Sequence, residues 1–128
     1  MFCLPIAVSY EYRLVNGTTK YEGRFEVRRD GGPWGTINGK IWTPRHTAIA
    51  CRTLGYASST TAPIATSDFG IGTGPVHTTI RSCYGYEWEL MDCEHASWDD
   101  GEAVTRNHCC DVGIVCIPGK SMLGSTHG

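Results

Sequence analysis

Apolar residues recur at helical spacing in one stretch of this chain, between Thr43 and Tyr56. Thr47, Ala50, Cys51 and Leu54 follow the i, i+3, i+4, i+7 order and form one inward face, with Arg45 and Arg52 projecting from the other side. The ends are marked as clearly as the middle. Thr43 offers an N-cap oxygen, and Pro44 sits at the first helical position, where a missing N–H costs nothing. Gly55 follows the last periodic residue, where a left-handed backbone is needed. The pattern predicts one main helix that carries a cysteine on its buried face.

Elsewhere the period is two. Tyr12 to Val15 reads as a strand, and Arg24-Phe25-Glu26-Val27-Arg28 alternates so that Phe25 and Val27 share a face. Asp30-Gly31 marks a turn, after which Trp34 to Ile37 is expected to pair back on the preceding strand. Asn38-Gly39 is a second hairpin-type dipeptide, leading into Ile41-Trp42. The first third is therefore predicted to be a small antiparallel meander. Glu87 to Cys93 suits a helical turn, and Val112 to Cys116 a compact apolar strand. Phe69 to Pro75 is too rich in glycine for regular structure. Its Gly-x-Gly-x-Gly spacing lacks the strand before and helix after that a dinucleotide cradle requires, so it is not read as a phosphate site. Residues 1–9 are expected to be a leader or N-terminal extension, 10–117 the domain, and 118–128 a disordered, polar, glycine-rich tail.

Composition narrows the class. At 128 residues the chain makes one domain with a modest core. Sixteen glycines and 19% charged residues fit a loop-rich domain better than a helical bundle. A net charge of -2 gives no global field for nucleic acid, and no run is long enough to span a bilayer. Seven cysteines indicate an oxidising compartment and a disulfide framework. The number is odd, so at least one thiol is free or pairs between chains. Asn16-Gly17-Thr18 is a glycosylation sequon, meaningful if the chain is secreted.

Arg24, Arg28, Arg29, Arg45 and Arg52 all lie in the first half, on or near the predicted sheet and helix. Guanidinium forks suit sulfate, phosphate and carboxylate, which makes these five the candidate ligand-binding residues for a polyanion. Arg24 and Arg28 are expected to share one face of their strand, with Glu26 read as lying on the opposite face and so not cancelling them. Trp34, Trp42, Trp88 and Trp98 are expected to be core or partly buried rather than ligand platforms.

An ordered series of motifs resembles the scavenger receptor cysteine-rich (SRCR) domain. It comprises Tyr12-Arg13-Leu14-Val15-Asn16-Gly17, Glu22-Gly23-Arg24-Phe25-Glu26-Val27, Trp34-Gly35-Thr36, Ala50-Cys51-Arg52-Thr53-Leu54-Gly55, Gly72-Thr73-Gly74-Pro75-Val76, Cys83-Tyr84-Gly85-Tyr86-Glu87, Leu90-Met91-Asp92-Cys93 and Asp111-Val112-Gly113-Ile114-Val115-Cys116. The likeness runs from about Ser9 to Ile117. It implies an α+β fold: a curved antiparallel β-sheet cradling one main α-helix, stapled by disulfides. It also implies the pairings Cys51–Cys116 and Cys83–Cys93, worth about 4 and about 2–3 kcal/mol on the chain-entropy argument. Tyr21 and Tyr56 stand where eight-cysteine members carry an extra pair, so the chain resembles the six-cysteine, group A-like kind. One family cysteine is replaced by Asn38. Its partner is expected near Cys109 or Cys110, and those two are left over with Cys3. Either Cys3 bonds one of them, or some stay free or cross-link two chains.

Against that framework, two metal readings weaken. Cys93, His95, His108, Cys109 and Cys110 contain enough soft ligands for zinc, but Cys93 is committed elsewhere, and adjacent cysteines on an extended chain diverge. The family's calcium positions correspond to Gly39-Lys40 and Thr79-Ile80, which leaves Asp111 alone where a hard cation wants several oxygens. Asp99, Asp100 and Glu102 read as a solvated loop. The resemblance thus implies a secreted or cell-surface, scavenger-receptor-like binding module for protein or polyanionic ligands. Catalysis, cofactor and metal are not expected, and a spare cysteine could make a covalent dimer. The alternatives are an accessory module of a larger extracellular enzyme, such as a lysyl oxidase-like protein or mosaic serine protease, and a small zinc-binding protein using the His/Cys cluster.

Overall fold

The computed structural model describes residues 7–57, 68–98 and 108–120. Its architecture is mixed α+β, with largely antiparallel pairing and, among the described residues, one α-helix. Strand β1 (Tyr10–Asn16) runs antiparallel to β2 (Glu22–Arg29). The helix α1 (Pro44–Thr53) follows β3 (Thr36–Ile37) and leads into β4 (Tyr56–Ala57). After these come β5 (Val76–Thr78), β6 (Ile80–Ser82), a 3-10 turn at Leu90–Asp92, β7 (Glu94–His95), β8 (Gly113–Val115) and β9 (Ile117–Lys120).

The main sheet has the order β1-β2-β8, with β2 in the middle. Central placement buries both faces of β2 from Gly23 to Val27, which alternation alone does not announce. Trp34 to Ile37 only partly returns on β2. Gly35 bridges Val27, but β3 itself pairs parallel with β5, so the expected meander stops after two strands. Ile41-Trp42 forms no strand. The Trp42 indole N–H instead donates to Thr47 Oγ1 at 2.8 Å and fixes the approach to the helix.

The helix starts and stops on the residues its sequence marks. Thr43 Oγ1 accepts the His46 N–H and His46 Nδ1 accepts the Thr43 N–H, closing a capping box. Gly55 takes φ +88° just beyond the C-cap Leu54. The buried face holds Thr47, Ala50 and Cys51 as expected, together with His46 and Ile49, while Leu54 is only partly buried. Phe25, Val27, Ile37, Ile49, Ile80, Leu90 and Ile114 are almost wholly excluded from water and meet in one core.

Cys51 on the helix is bonded to Cys116 beside β8, and Cys83 to Cys93. Cys109 is joined to Cys110. The expected divergence of this adjacent pair assumed an extended chain. The backbone turns there, and the turn brings the two sulfurs to one side. None of the arrangements foreseen for these two, a link to Cys3, free thiols or a cross-link between chains, is the one adopted, and Cys3 lies outside the described residues. Strand pairing also continues to Lys120, three residues past the expected domain end at 117, because β9 returns against β4. Residues 121–128 and 1–6 lie outside the described residues.

Candidate binding surface

The face of β1 and β2 that points away from the helix is a ladder of charge. Residues 24, 26 and 28 are two apart and share this face, so Glu26 lies beside the arginines and not behind them. Register places Glu11 opposite Arg28, Arg13 opposite Glu26 and Val15 opposite Arg24. Arg13 donates from Nε and Nη2 to Glu26 Oε1, at 2.9 and 2.6 Å. Arg24 Nε donates to Glu26 Oε2 at 3.0 Å, and Arg28 Nε to Glu11 Oε1 at 2.7 Å. Arg24 is buried under the segment 69–70, where its Nη1 donates to the Phe69 carbonyl at 2.9 Å. It therefore braces the sheet and is not a surface cation open to a ligand. The Arg28 bond lowers the Glu11 carboxyl below its ordinary range, aided by the guanidinium charge.

Trp34 completes this face. The Arg13 guanidinium lies 4.2 Å and the Arg28 guanidinium 4.6 Å from its ring centroid, both within cation–π reach. Their side chains are 44% and 30% exposed against 9% for Arg24, so these are the two a ligand can touch. Arg13 was no candidate on sequence, because its worth depends on Trp34 arriving from another segment.

The remaining three arginines are elsewhere. Arg29 shares the Phe25 and Val27 face, with its guanidinium 5.3 Å from the Trp98 ring. Arg45 and Arg52 are on the helix, whose Ile49, Ala50 and Cys51 share one buried core with Phe25 and Val27 of that inner face. Arg45 Nη1 donates to the Cys83 carbonyl at 3.1 Å. Arg52 donates to the Glu87 and Gly85 carbonyls at 2.7 and 3.3 Å. The sheet thus stands between Arg24/Arg28 and Arg45/Arg52, and the five do not form one patch.

The segment that Arg45 and Arg52 hold is built around Glu87. This buried carboxylate accepts from the Tyr84 N–H at 2.8 Å and the Gly85 N–H at 2.9 Å. Burial raises its pKa, but the amides of Tyr84, Gly85 and Glu87 itself, with the Arg45 charge, outweigh that and leave the carboxyl below its ordinary range. On the helix, burial lowers His46, with Arg45 adding to the effect, in keeping with a neutral ring whose Nδ1 accepts a hydrogen bond. Tyr12 is raised by burial and by its 2.7 Å bond to Glu89.

The His/Cys cluster does not assemble into a zinc site. The sulfurs of Cys93, Cys109 and Cys110 are in disulfides, which removes the thiolates that reading needs. His95 Nδ1 lies 2.7 Å from the Ala96 carbonyl oxygen. His108 bridges two segments, with Nδ1 2.8 Å from Asp111 Oδ1 and Nε2 2.7 Å from the Gly74 carbonyl oxygen. Asp111 also accepts the Gly72 N–H at 2.9 Å. Cys83, Glu87 and Cys93 lie close enough to suggest a ligand set, but the two sulfurs are bonded to each other and Glu87 is taken by amides. Ile80, at one of the two positions matching the family's calcium site, is buried in the core. Asp99, Asp100 and Glu102 lie outside the described residues. Asn16 ends β1 with φ 68°, exposed, and its amide donates to the Phe69 carbonyl at 3.2 Å. Tyr21 and Tyr56 meet edge to face at 5.0 Å, where a further cystine would stand. Three tryptophans are partly buried, as expected. Trp88 is 61% exposed and is not.

Comparison with known proteins fits this arrangement. The family model for the scavenger receptor cysteine-rich domain matches residues 15–117. The third SRCR domain of murine neurotrypsin superposes with a TM-score of 0.65 and 38% identity, over 84% of this chain and 96% of that one. The SRCR domain of mouse MARCO, in its dimeric form, superposes with a TM-score of 0.58 and 26% identity, over 91% of this chain and 94% of that one.

Proposed function

This chain belongs to the scavenger receptor cysteine-rich family, and from that premise we propose that it is an extracellular, non-catalytic binding module taking a polyanionic ligand on the outer face of β1 and β2. The observation that carries this is the Arg13–Trp34–Arg28 stack. Trp34 holds both guanidinium planes, which spares them much of the ordering cost of binding. Arg13 Nη1 and both Nη atoms of Arg28 remain outside the hydrogen bonds to Glu26 and Glu11. These nitrogens can bridge sulfate, phosphate or carboxylate groups. Three arginines against two glutamates leave one positive charge on the face, so binding is weak for one anion and grows with repeating anions along a polymer. Arg45 is exposed on the opposite side of the domain and is a second, separate contact for such a polymer.

The test is retention on immobilised heparin across a salt gradient. The Arg13→Ala/Arg28→Ala variant is expected to elute at markedly lower salt, because exposed ion pairs are screened within a Debye length. Elution unchanged from wild type refutes the assignment. A second reading has its own support. The neurotrypsin domain is described as the third of its kind, hence one module in a series, and this chain can likewise be an accessory module of a larger extracellular protein. The four buried cystine sulfurs favour an oxidising compartment, and the exposed Asn16 suits a glycan there. The odd cysteine count supports a covalent dimer through Cys3, visible as a reducible band of doubled mass.

A further inference from the structure

Two of the cystines belong to the core, and Cys51, Cys116, Cys83 and Cys93 are all buried. The Cys109–Cys110 cystine differs in two ways. Cys109 is exposed and Cys110 half-buried. The pair is also adjacent in sequence, which holds the Cα atoms 3.7 Å apart, short of the roughly 4.4–6.8 Å that cystines usually span. A ring of two residues closes the shortest loop of the three and contributes least through loop entropy. The bond can therefore open without opening the fold, on a side that a thiol can reach.

The turn that carries this ring is a junction. The Cys110 carbonyl accepts the Gly39 N–H at 2.6 Å, and Gly39 sits so close that a Cβ there would lie 2.7 Å from the same oxygen. On one flank Asp111 accepts the Gly72 N–H at 2.9 Å. On the other, His108 Nε2 lies 2.7 Å from the Gly74 carbonyl oxygen. One short turn thus holds two distant loops, at 38–39 and 72–74.

We propose that Cys109–Cys110 is a reversible redox site, reduced by a dithiol of the Cys-x-x-Cys class while the core cystines stay closed, and that its opening loosens the two loops. A thiolate of the reductant attacks the exposed Cys109 Sγ. The bond between Cys109 and Cys110 breaks, and Cys110 leaves as a thiolate and takes a proton from solvent. The reductant's second thiol gives up its proton and attacks its own sulfur in the mixed disulfide, so that Cys109 leaves in turn and is protonated. Two electrons and two protons pass to the pair, and the reductant ends as a disulfide. Oxidised glutathione reverses the reaction, taking up the two electrons as two thiols. With the ring open, the backbone at 109–110 is released toward an extended path, on which successive side chains diverge. The Cys110 carbonyl and the carboxylate next to it then lose the fixed positions that meet Gly39 and Gly72.

The site makes no use of the Arg13–Trp34–Arg28 stack, so the two assignments fail independently. The experiment treats the full oxidised chain with increasing dithiothreitol under native conditions, quenches with acid, alkylates the released thiols and maps them by mass spectrometry. Cys109 and Cys110 are expected to be labelled together, at a dithiothreitol concentration about tenfold or more below that required for Cys51, Cys83, Cys93 and Cys116. Removing the reductant and adding oxidised glutathione should restore the link. Hydrogen exchange on the selectively reduced protein reads the loops. The Gly39 and Gly72 amides should exchange about two- to tenfold faster, the worth of one hydrogen bond. Cys109→Ser/Cys110→Ser should show that faster exchange from the start and no further change with dithiothreitol. Cysteines 109 and 110 that open only with the core cystines overturn the proposal, as does a map of the oxidised protein that links either of them to another residue. Selective reduction with unchanged exchange at Gly39 and Gly72 overturns the release of the loops.

Discussion

The outer face of the β1–β2 pair and the Cys83–Cys93 loop solve opposite problems. On the sheet face charge is confined: Glu26 holds Arg13 and Arg24, Glu11 holds Arg28, and Trp34 lies against the two outer guanidiniums. On the loop the charge lies beneath and supports the segment, while the rings stand in water. Arginine is a surface group in one place and a strut in the other. The difference lies in what each guanidinium meets. Carboxylates across a strand leave donors pointing out, whereas backbone carbonyls of a turning loop absorb them.

The largest effect is expected where a strut belongs to the sheet. Arg24→Ala leaves one oxygen of buried Glu26 without its partner, and removing half of such a pair costs about 3–5 kcal/mol. Arg13 still holds the other oxygen, so the value should fall at the lower end. Urea denaturation measures it, and a loss under about 1 kcal/mol, the range of an exposed pair, would make Arg24 a surface residue after all. Replacing Cys83 and Cys93 together by serine should cost about 2–3 kcal/mol, the worth of a loop of that length. Heparin retention should stay. Its loss in a still-folded variant would mean the two regions are coupled.

Acidity separates the regions next. Glu87 has a folded pKa below its unfolded value, so its contribution is present above the unfolded carboxylate pKa and is lost as pH falls through the folded one. Glu87→Gln should flatten the acid limb of a melting-temperature profile between pH 5 and 3, roughly the range in which carboxylates titrate. His46 is likewise depressed, so its neutral ring favours the fold above about pH 6.5, and that advantage declines on acidification toward its folded pKa. His46→Gln should remove a step in stability near that pH, and an unaltered profile would show that the capping contact does not depend on a neutral ring. The smallest stability effect is expected from Arg28→Ala, about 0–1 kcal/mol for a half-exposed pair, alongside a clear fall in heparin retention.

The helix ends were legible, since Thr43, Pro44 and Gly55 are local signals that no distant contact has to complete, while its buried face gained His46 and Ile49 and left Leu54 only partly covered. The inner face of β2 was legible too, because Phe25 and Val27 obey a period of two. The same period places Glu26 beside Arg24 and Arg28, a point the sequence reading missed. The ordered motifs carried the family and the α+β fold. Tertiary structure decided the rest. Alternation orders the faces of a strand but does not say which of them is covered, and β2 became central only when β8 and the segment at 69–70 closed over it, which took Arg24 out of solvent. Trp34 became a platform because its chain segment crosses Arg13 and Arg28. Tyr84, Tyr86 and Trp88 stayed bare because Glu87, Arg45 and Arg52 fix the loop from below. Local sequence sets dihedral preference and periodicity within a few residues. Burial and ion-pair partners depend on contacts between segments tens of residues apart, and those exist only once the chain has closed on itself.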